Sequence, residues 1–328
     1  MICDKEIAVG EGGVRLDAAV LHAFPTATNS FVRSAIAKGD ILVAHGGSAA
    51  RSAAKGLKMR AGDVIFVRRL LEEVDNLVAP EPGVASLHDA GVPKPVFSDD
   101  NLVAVDKPAE MPVQPLSCDE TGTLMNAMVA VYPECRMISE PTADGRRANT
   151  LMAGAVHRID ADTSGLVLVA RSQSAFDALR SQFASQTVKK TYLALVEGAV
   201  AVGGTVENDL VHDPTLPFCR MIDVSRMRSS ARVRPLHAVT RYEPIAHTSV
   251  GCEERTLLEV VIYTGVTHQI RAQLAMAGMH IVNDRLYGAF AVEGQKGHCL
   301  HSLAALFAHP VSGVQMEIRT PLPAWARM

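Results

Sequence analysis

The apolar positions of this 328-residue chain change period several times, and each change marks an element. Leu16, Val20 and Phe24 recur at four-residue spacing and Pro25 closes the pattern, which predicts a helix. A second short helix is expected over residues 30–37, with Val32, Ala35 and Ile36 inward and Arg33 and Lys38 outward. Gly39-Asp40 then turns the chain into an apolar strand over 41–44, and Gly46-Gly47 reads as a hairpin turn. Residues 57–67 repeat strand, turn, strand. Residues 71–95 hold several prolines and no sustained period, so they read as an irregular linker. Beyond them come a turn and a strand leading to Lys107-Pro108, a helix over 123–132, and a polar stretch, 134–150, expected to be a mobile loop. Leu166-Val167-Leu168-Val169-Ala170 has the length and composition of a buried strand. Residues 172–186 form an amphipathic helix with Phe176, Leu179 and Phe183 on one face. Residues 189–198 alternate as a strand, with Lys190, Tyr192 and Ala194 on one face and Leu193 and Leu195 on the other. A further strand over 256–262 precedes a helix that Gly278 ends, with Ile270 and Leu274 facing the core. Residues 201–250 show no legible pattern.

Composition bounds the class. The chain is 48% hydrophobic and 20% charged, which supplies a core, and its length suggests two domains. No apolar run reaches the ~18 residues of a membrane span, and residues 1–13 have no signal-peptide core. A cytoplasmic protein with no membrane contact is expected. The six cysteines are scattered without a C-x-x-C pair, which suits reduced thiols. His298, His301 and His309 cluster, but no paired thiol or H-E-x-x-H accompanies them, so no metal site is expected. Net charge is −3, yet residues 1–70 carry ten Lys/Arg against six Asp/Glu. A basic module on an acidic body suits phosphate contact through a local patch.

The chemistry concentrates in Val156-His157-Arg158-Ile159-Asp160-Ala161-Asp162-Thr163-Ser164-Gly165, directly before the buried strand. A polar loop held against a sheet is where catalytic residues tend to sit. An isolated R-x-D is more often turn chemistry, with Asp160 or Asp162 capping and Arg158 as ion-pair partner. Ten residues in this order resemble the His-Arg-(Leu/Ile)-Asp-x-x-Thr-Ser-Gly signature of the RluA-type pseudouridine synthases. The matches to that family span about Val96 to Pro310, with only a faint echo over 201–250 at Arg220-Met221, Ala231 and Tyr242-Glu243: the Leu102-Val103-Ala104-Val105-Asp106-Lys107-Pro108 opening, Lys190-x-Tyr192-x-Ala194, Thr267-His268-Gln269-Ile270-Arg271, Asp284-x-Leu286-Tyr287-Gly288 and Leu300-His301-Ser302. Two departures stand out. Glu110 occupies a usual Gly position, and Val266 replaces a usual Arg. The N-terminal stretch resembles an S4 RNA-binding domain through Arg15-Leu16-Asp17, Ile36-x-x-Gly39-x-x-x-Val43 and Ala61-Gly62-Asp63-x-Ile65.

The resemblance implies an α+β fold: a catalytic domain over 96–328 on a mixed, mainly antiparallel sheet with flanking helices, a linker over 72–95, and a small S4-like domain over 1–71. It implies an enzyme that isomerises uridine to pseudouridine in RNA, with 23S ribosomal RNA or its precursor as partner, acting as a monomer without a cofactor. The reaction cleaves N1–C1′, turns the uracil and rejoins it through C5. One carboxylate is needed beside C1′, as nucleophile or as base at C2′, and a cation must keep it ionised in a desolvated pocket. The family pattern places the carboxylate on Asp160 and the cation on Arg271. Tyr192 is the tyrosine that packs on the target base, and Arg158 is placed to brace the gap left by a base drawn from its stack. Arg15, Arg33 and Lys38 are the candidate RNA contacts of the N-terminal module. Competing readings are a non-catalytic RNA-binding or ribosome-assembly factor, a synthase acting on tRNA, and a hydrolase using Asp160 and Asp162 as an acid–base pair.

Overall fold

The computed structural model describes residues 5–10, 12–24, 29–48, 50–54, 56–67, 77–141, 147–148, 150–215, 220–227, 234–250 and 253–327. They divide into two packed units. The first gathers Met1–Ala79 with Pro115–Glu120 and Ser139–Ala153, and the second holds Pro80–Gln114, Thr121–Ile138 and Gly154–Met328.

In the first unit, β1 (Lys5–Ala8), β4 (Val64–Val67), β2 (Ile41–Ala44) and β3 (Arg51–Ser52) form an antiparallel sheet in that order. Helices α1 (Leu16–Ala23) and α2 (Asn29–Lys38) bury Leu16, Val20, Val32, Ala35 and Ile36 against Ile41, Val43, Ile65 and Val67. Each helix presents one apolar stripe, and a four-stranded sheet offers the face that covers it. The sequence pattern missed β1, which pairs along β4 from Lys5–Val67 to Ala8–Val64. It also expected residues 57–67 to open with a strand at Leu57. That opening instead makes a single bridge, Lys58 with Arg15, and Met59 is buried beneath it. Gly46 and Gly47 both have positive φ, as a tight hairpin requires. Two short strands, β7 (Glu140–Pro141) and β8 (Arg147–Ala148), pair within 139–153, where an irregular loop was expected. Residues 71–76 of the expected linker lie outside the described residues, and 77–94 contain no helix or strand.

The second unit is built on ten strands. In chain order they are β5 (Pro95–Ser98), β6 (Leu102–Lys107), β9 (Ser164–Ala170), β10 (Lys189–Glu197), β11 (Gly204–His212), β12 (Met221–Asp223), β13 (Leu236–Val250), β14 (Glu253–Ile262), β15 (Leu300–Ala308) and β16 (Gln315–Arg319). The sheet runs β12-β11-β13-β14-β10-β15-β9-β6-β5, with β16 also on β15. Every pairing is antiparallel except β15 with β9. The sheet is thus mixed and mainly antiparallel. Helices α3 (Leu124–Val131), α4 (Gln173–Ala184) and α5 (Gln269–Met276) belong to this unit. Thr123 caps α3 in a reciprocal capping box with Asn126, so the helix begins one residue past the polar cap.

Central β10 is buried on both faces, which is why its alternation separates two packed surfaces and not a wet one from a dry one. Leu193, Leu195, Leu258, Val260, Ile270, Leu274 and Leu300 form one core. Leu166, Leu168, Phe176, Leu179 and Phe307 form a second. The first core seats α5 and the second seats β9, so both candidate catalytic segments rest on packed sheet.

Candidate active site

The loop at 157–163 is fixed at both ends. Before it, residues 154–156 run beside β9, with Ala170 N–H donating to Gly154 O and Val156 N–H to Leu168 O. His157 Nε2 accepts the Leu168 N–H at 3.0 Å, and its ring stacks on Phe183 at 4.8 Å. Burial pushes that imidazole down to about 3, and a neutral ring is what accepting an amide proton requires. After the loop, Gly165 has φ +108°, and a Cβ there would collide with the Ser302 carbonyl oxygen of β15. Only glycine lets β9 and β15 approach so closely.

Three further contacts set the loop. Lys107, fully buried at the end of β6, donates from Nζ to the carbonyls of Pro108 (2.9 Å), Met111 (2.7 Å) and Ala161 (2.9 Å). Thr163 Oγ1 meets His298 Nε2 at 2.7 Å, and Ser164 Oγ meets His301 Nδ1 at 2.8 Å. His301 Nε2 in turn reaches Thr320 Oγ1 at 2.8 Å, while His309 Nε2 faces Asp99 at 2.9 Å. The three histidines therefore bind separate hydroxyl and carboxylate partners. Among the described residues, no group of three or more His, Cys, Asp or Glu is placed to hold a metal ion.

Asp160 and Arg271, 111 residues apart, meet here: Nη1 donates to Asp160 Oδ2 at 2.6 Å. Burial raises the Asp160 carboxyl, but the charges of His268 and Arg271 and the Arg271 hydrogen bond outweigh it and hold the group below the usual carboxylate range. The other two nitrogens of the guanidinium donate along one edge to Asp284, Nε at 2.7 Å and Nη2 at 2.9 Å. Arg271 is thus a buried cation with a carboxylate on each side. Its helix starts at His268, which adopts a left-handed conformation (φ 52°) and turns its ring toward the site. Nε2 lies 3.7 Å from Asp160 Oδ2, and Nδ1 lies 3.2 Å from the Tyr287 hydroxyl. Burial lowers the His268 imidazole.

Tyr192, on β10, is 7% exposed, and burial pushes its phenol up to about 12, so the ring is a neutral apolar face. Arg158 is exposed and has no hydrogen-bond or ion-pair partner among the described residues. Asp162 is exposed too, and Arg271 does not reach it. In the first unit Arg15 is engaged bidentately by Asp17, at 2.9 and 2.7 Å, while Arg33 is exposed. The backbone of Lys38 ends α2, and its side chain lies outside the described residues.

Sequence reasoning gave no role to His268, Asp284 or Lys107. All three stand inside motifs quoted above, so position marked them even though their partners were invisible.

The site thus brings together a carboxylate held ionised by a buried guanidinium and a second carboxylate that clamps that guanidinium. Residues 101–276 match the family model for RNA pseudouridylate synthase, and the chain belongs to that family; it is a pseudouridine synthase, an isomerase that acts on RNA. Two similar proteins, both named Ribosomal large subunit pseudouridine synthase D, come from Xanthomonas campestris pv. campestris and Escherichia coli. The first is 31% identical, covering 95% of this chain and 86% of its own length. The second is 29% identical, covering 95% and 88%. In solved structures the fold recurs in Human RNA Pseudouridylate Synthase Domain Containing 1, with TM-score 0.54, 20% identity, and coverage of 77% of this chain and 86% of that one. Among the described residues, no helix is long and apolar enough to cross a membrane.

Proposed function

We propose that the chain isomerises uridine in large-subunit ribosomal RNA, with Asp160 as the reactive carboxylate. The observation that carries the assignment is the Arg271 fork. It reaches Asp160 and not Asp162, which stands two residues on in the same loop. Asp160 supplies the electron pair needed at C1′, or the base needed at C2′, and Arg271 keeps it charged after water leaves. Tyr192 packs on the uracil, and exposed Arg158 braces the stack from which the base is drawn. The first unit, in the S4-like reading, is an RNA grip spanning residues 1–71, with Arg33 among its phosphate contacts and 72–95 as the tether. The proteins that align over 95% of this chain carry names that specify the large subunit, which supports ribosomal RNA over tRNA.

The test is pseudouridine mapping of total RNA from cells with and without the gene, complemented by wild type or by Asp160→Ala. Large-subunit positions should lose pseudouridine without the gene and regain it only with wild type. Loss confined to tRNA would overturn the ribosomal substrate, and full complementation by Asp160→Ala would overturn the carboxylate. In vitro, Asp160→Ala should lower kcat by on the order of 10⁴-fold or more while RNA affinity stays within about threefold.

A further inference from the structure

The buried cations of the second unit are each taken up by the protein. Lys107 has three carbonyls, Lys190 has the carbonyls of Tyr263 (3.0 Å) and Thr264 (2.7 Å), and Arg271 has two carboxylates. Arg220 breaks the pattern. Its Nε is fully buried without a hydrogen-bond partner, and no ion pair reaches its guanidinium among the described residues. The nearby Asp213 carboxylate is already occupied, accepting from Thr215 N–H at 2.9 Å and Thr215 Oγ1 at 2.6 Å.

The position of Arg220 is well fixed. It leads into β12, and its carbonyl accepts the Asp213 N–H at 2.8 Å. The next residue, Met221, donates its N–H to the Tyr287 hydroxyl at 2.8 Å. The Arg220 guanidinium lies 5.8 Å from the centre of the Tyr287 ring, and Arg271 lies 5.2 Å from the same centre. The Tyr287 ring thus neighbours both the cation that holds Asp160 and a cation with no ion-pair partner among the described residues. An unpaired, half-buried guanidinium forgoes its strongest partners, and a planar fork is suited to a phosphate's two oxygens.

We propose that Arg220 is a phosphate-binding residue, taking a backbone phosphodiester of the substrate RNA next to the target uridine; this rests on Asp160 marking where that uridine reacts. A nucleotide seated with C1′ at Asp160 carries its phosphate within reach of neighbouring side chains, and contacts to phosphate set register without reading sequence. Arg220 thereby fixes the ribose over Asp160, and its absence is felt in binding ahead of chemistry.

The experiment measures affinity and single-turnover rate for an unmodified large-subunit ribosomal RNA transcript, across a salt series, with the full-length wild type, Arg220→Gln and Arg220→Lys. Arg220→Gln should weaken binding about tenfold and raise KM alike, with kcat at saturating RNA within about threefold. The slope of log K against log salt should become shallower by roughly 0.7 to 0.9, the signature of one lost phosphate contact. Arg220→Lys should restore the slope and only part of the affinity, since a point charge replaces the fork. A slope unchanged in Arg220→Gln overturns the proposal, as does a fall in kcat at constant KM. Thermal melting of each variant separates a misfolded protein from a weak binder, and the Lys variant keeps the test open if the Gln variant melts early. The slope comes from binding alone. Failure of wild type to convert the transcript would therefore count against the ribosomal reading and leave the phosphate contact to be judged by the slope.

Discussion

Replacing Lys107 by Met removes a fully buried ammonium and keeps most of its volume. Two opposed quantities decide the outcome. Burial drives the Lys107 amine from 10.5 down to about 7, despite the charges of Asp160, Asp162 and Asp106 pulling it up. A displacement of that size is worth roughly 5 kcal/mol against carrying the charge. Set against it are three ammonium–carbonyl hydrogen bonds, each contributing about 1.5–3 kcal/mol. The carbonyls repay burial only in part, since the amine still titrates near 7, so at that pH Lys107→Met should lie within about 3 kcal/mol of wild type. The dependence on pH is sharper. Because the folded amine releases its proton more readily than the unfolded one, the unfolded chain binds more protons between pH 7 and 10.5, and wild-type stability rises across that window. The Met variant lacks this rise. Denaturant unfolding of both proteins at pH 6 to 10 should show the difference widening by about 1.4 kcal/mol per pH unit above 7, toward a ceiling of roughly 5 kcal/mol. All other groups titrate in both proteins and cancel. A difference flat from pH 7 to 10 would refute the reasoning, because it would mean that the three carbonyls repay burial completely. At pH 7 the variant should also lose about tenfold in kcat, since the Ala161 carbonyl beside Asp160 loses its anchor.

Three further outcomes follow from the site. Arg271→Ala should lower kcat far more than affinity and move the acid limb of the kcat–pH profile upward, because burial then acts on Asp160 without its cation; Arg271→Lys should recover part of both, and an unmoved limb would show that another group holds Asp160 charged. Asp284→Asn should lower kcat on the order of tenfold with KM within about threefold, read in single-turnover assays, because Arg271 loses one of its two carboxylates; wild-type kcat would refute the clamp. Glu110 has φ 67°, where a side chain is strained, so Glu110→Gly should raise stability by up to about 1 kcal/mol and Glu110→Val should lower it by at least that much, both measured by chemical denaturation.

The loop around Asp160 and the helix carrying Arg271 were legible because each is a contiguous run whose order survives in the sequence. Their encounter was legible only through family likeness, since nothing in either run specifies a partner 111 residues away. The same limit hid the carbonyl cage of Lys107 and the pairing of Thr163 with His298, which turned a cluster resembling metal ligands into hydrogen bonds to loop hydroxyls. The middle of the chain was illegible for a different reason. Along β11, odd positions such as Thr205, Glu207 and Asp209 are exposed and the apolar set is thin, so alternation barely registers. On β13 the register with β14 shifts between Pro244 and Ala246, which breaks the period of two at the place where a longer strand would have announced itself. Arg220 lies in that stretch, so its position beside Tyr287 emerged only when β12 was seen at the sheet edge.

The arrangement of charge explains why one guanidinium serves two carboxylates. A buried Arg paired with Asp160 alone would neutralise it, and a neutral pair is a poor electron donor whether it attacks C1′ or takes a proton from C2′. Sharing Arg271 with Asp284 leaves the three groups with a net negative charge, while Nη1 still fixes where the Asp160 oxygen sits. Asp284, 2% exposed, is sealed from substrate, whereas the Asp160 side chain keeps 27% of its surface. The negative charge therefore has one open face, and it belongs to Asp160, the carboxylate proposed to meet the sugar. Desolvation then strengthens both interactions at once: it tightens the Arg271–Asp284 clamp and sharpens the field at Asp160, so the site is most reactive when the substrate has displaced the water.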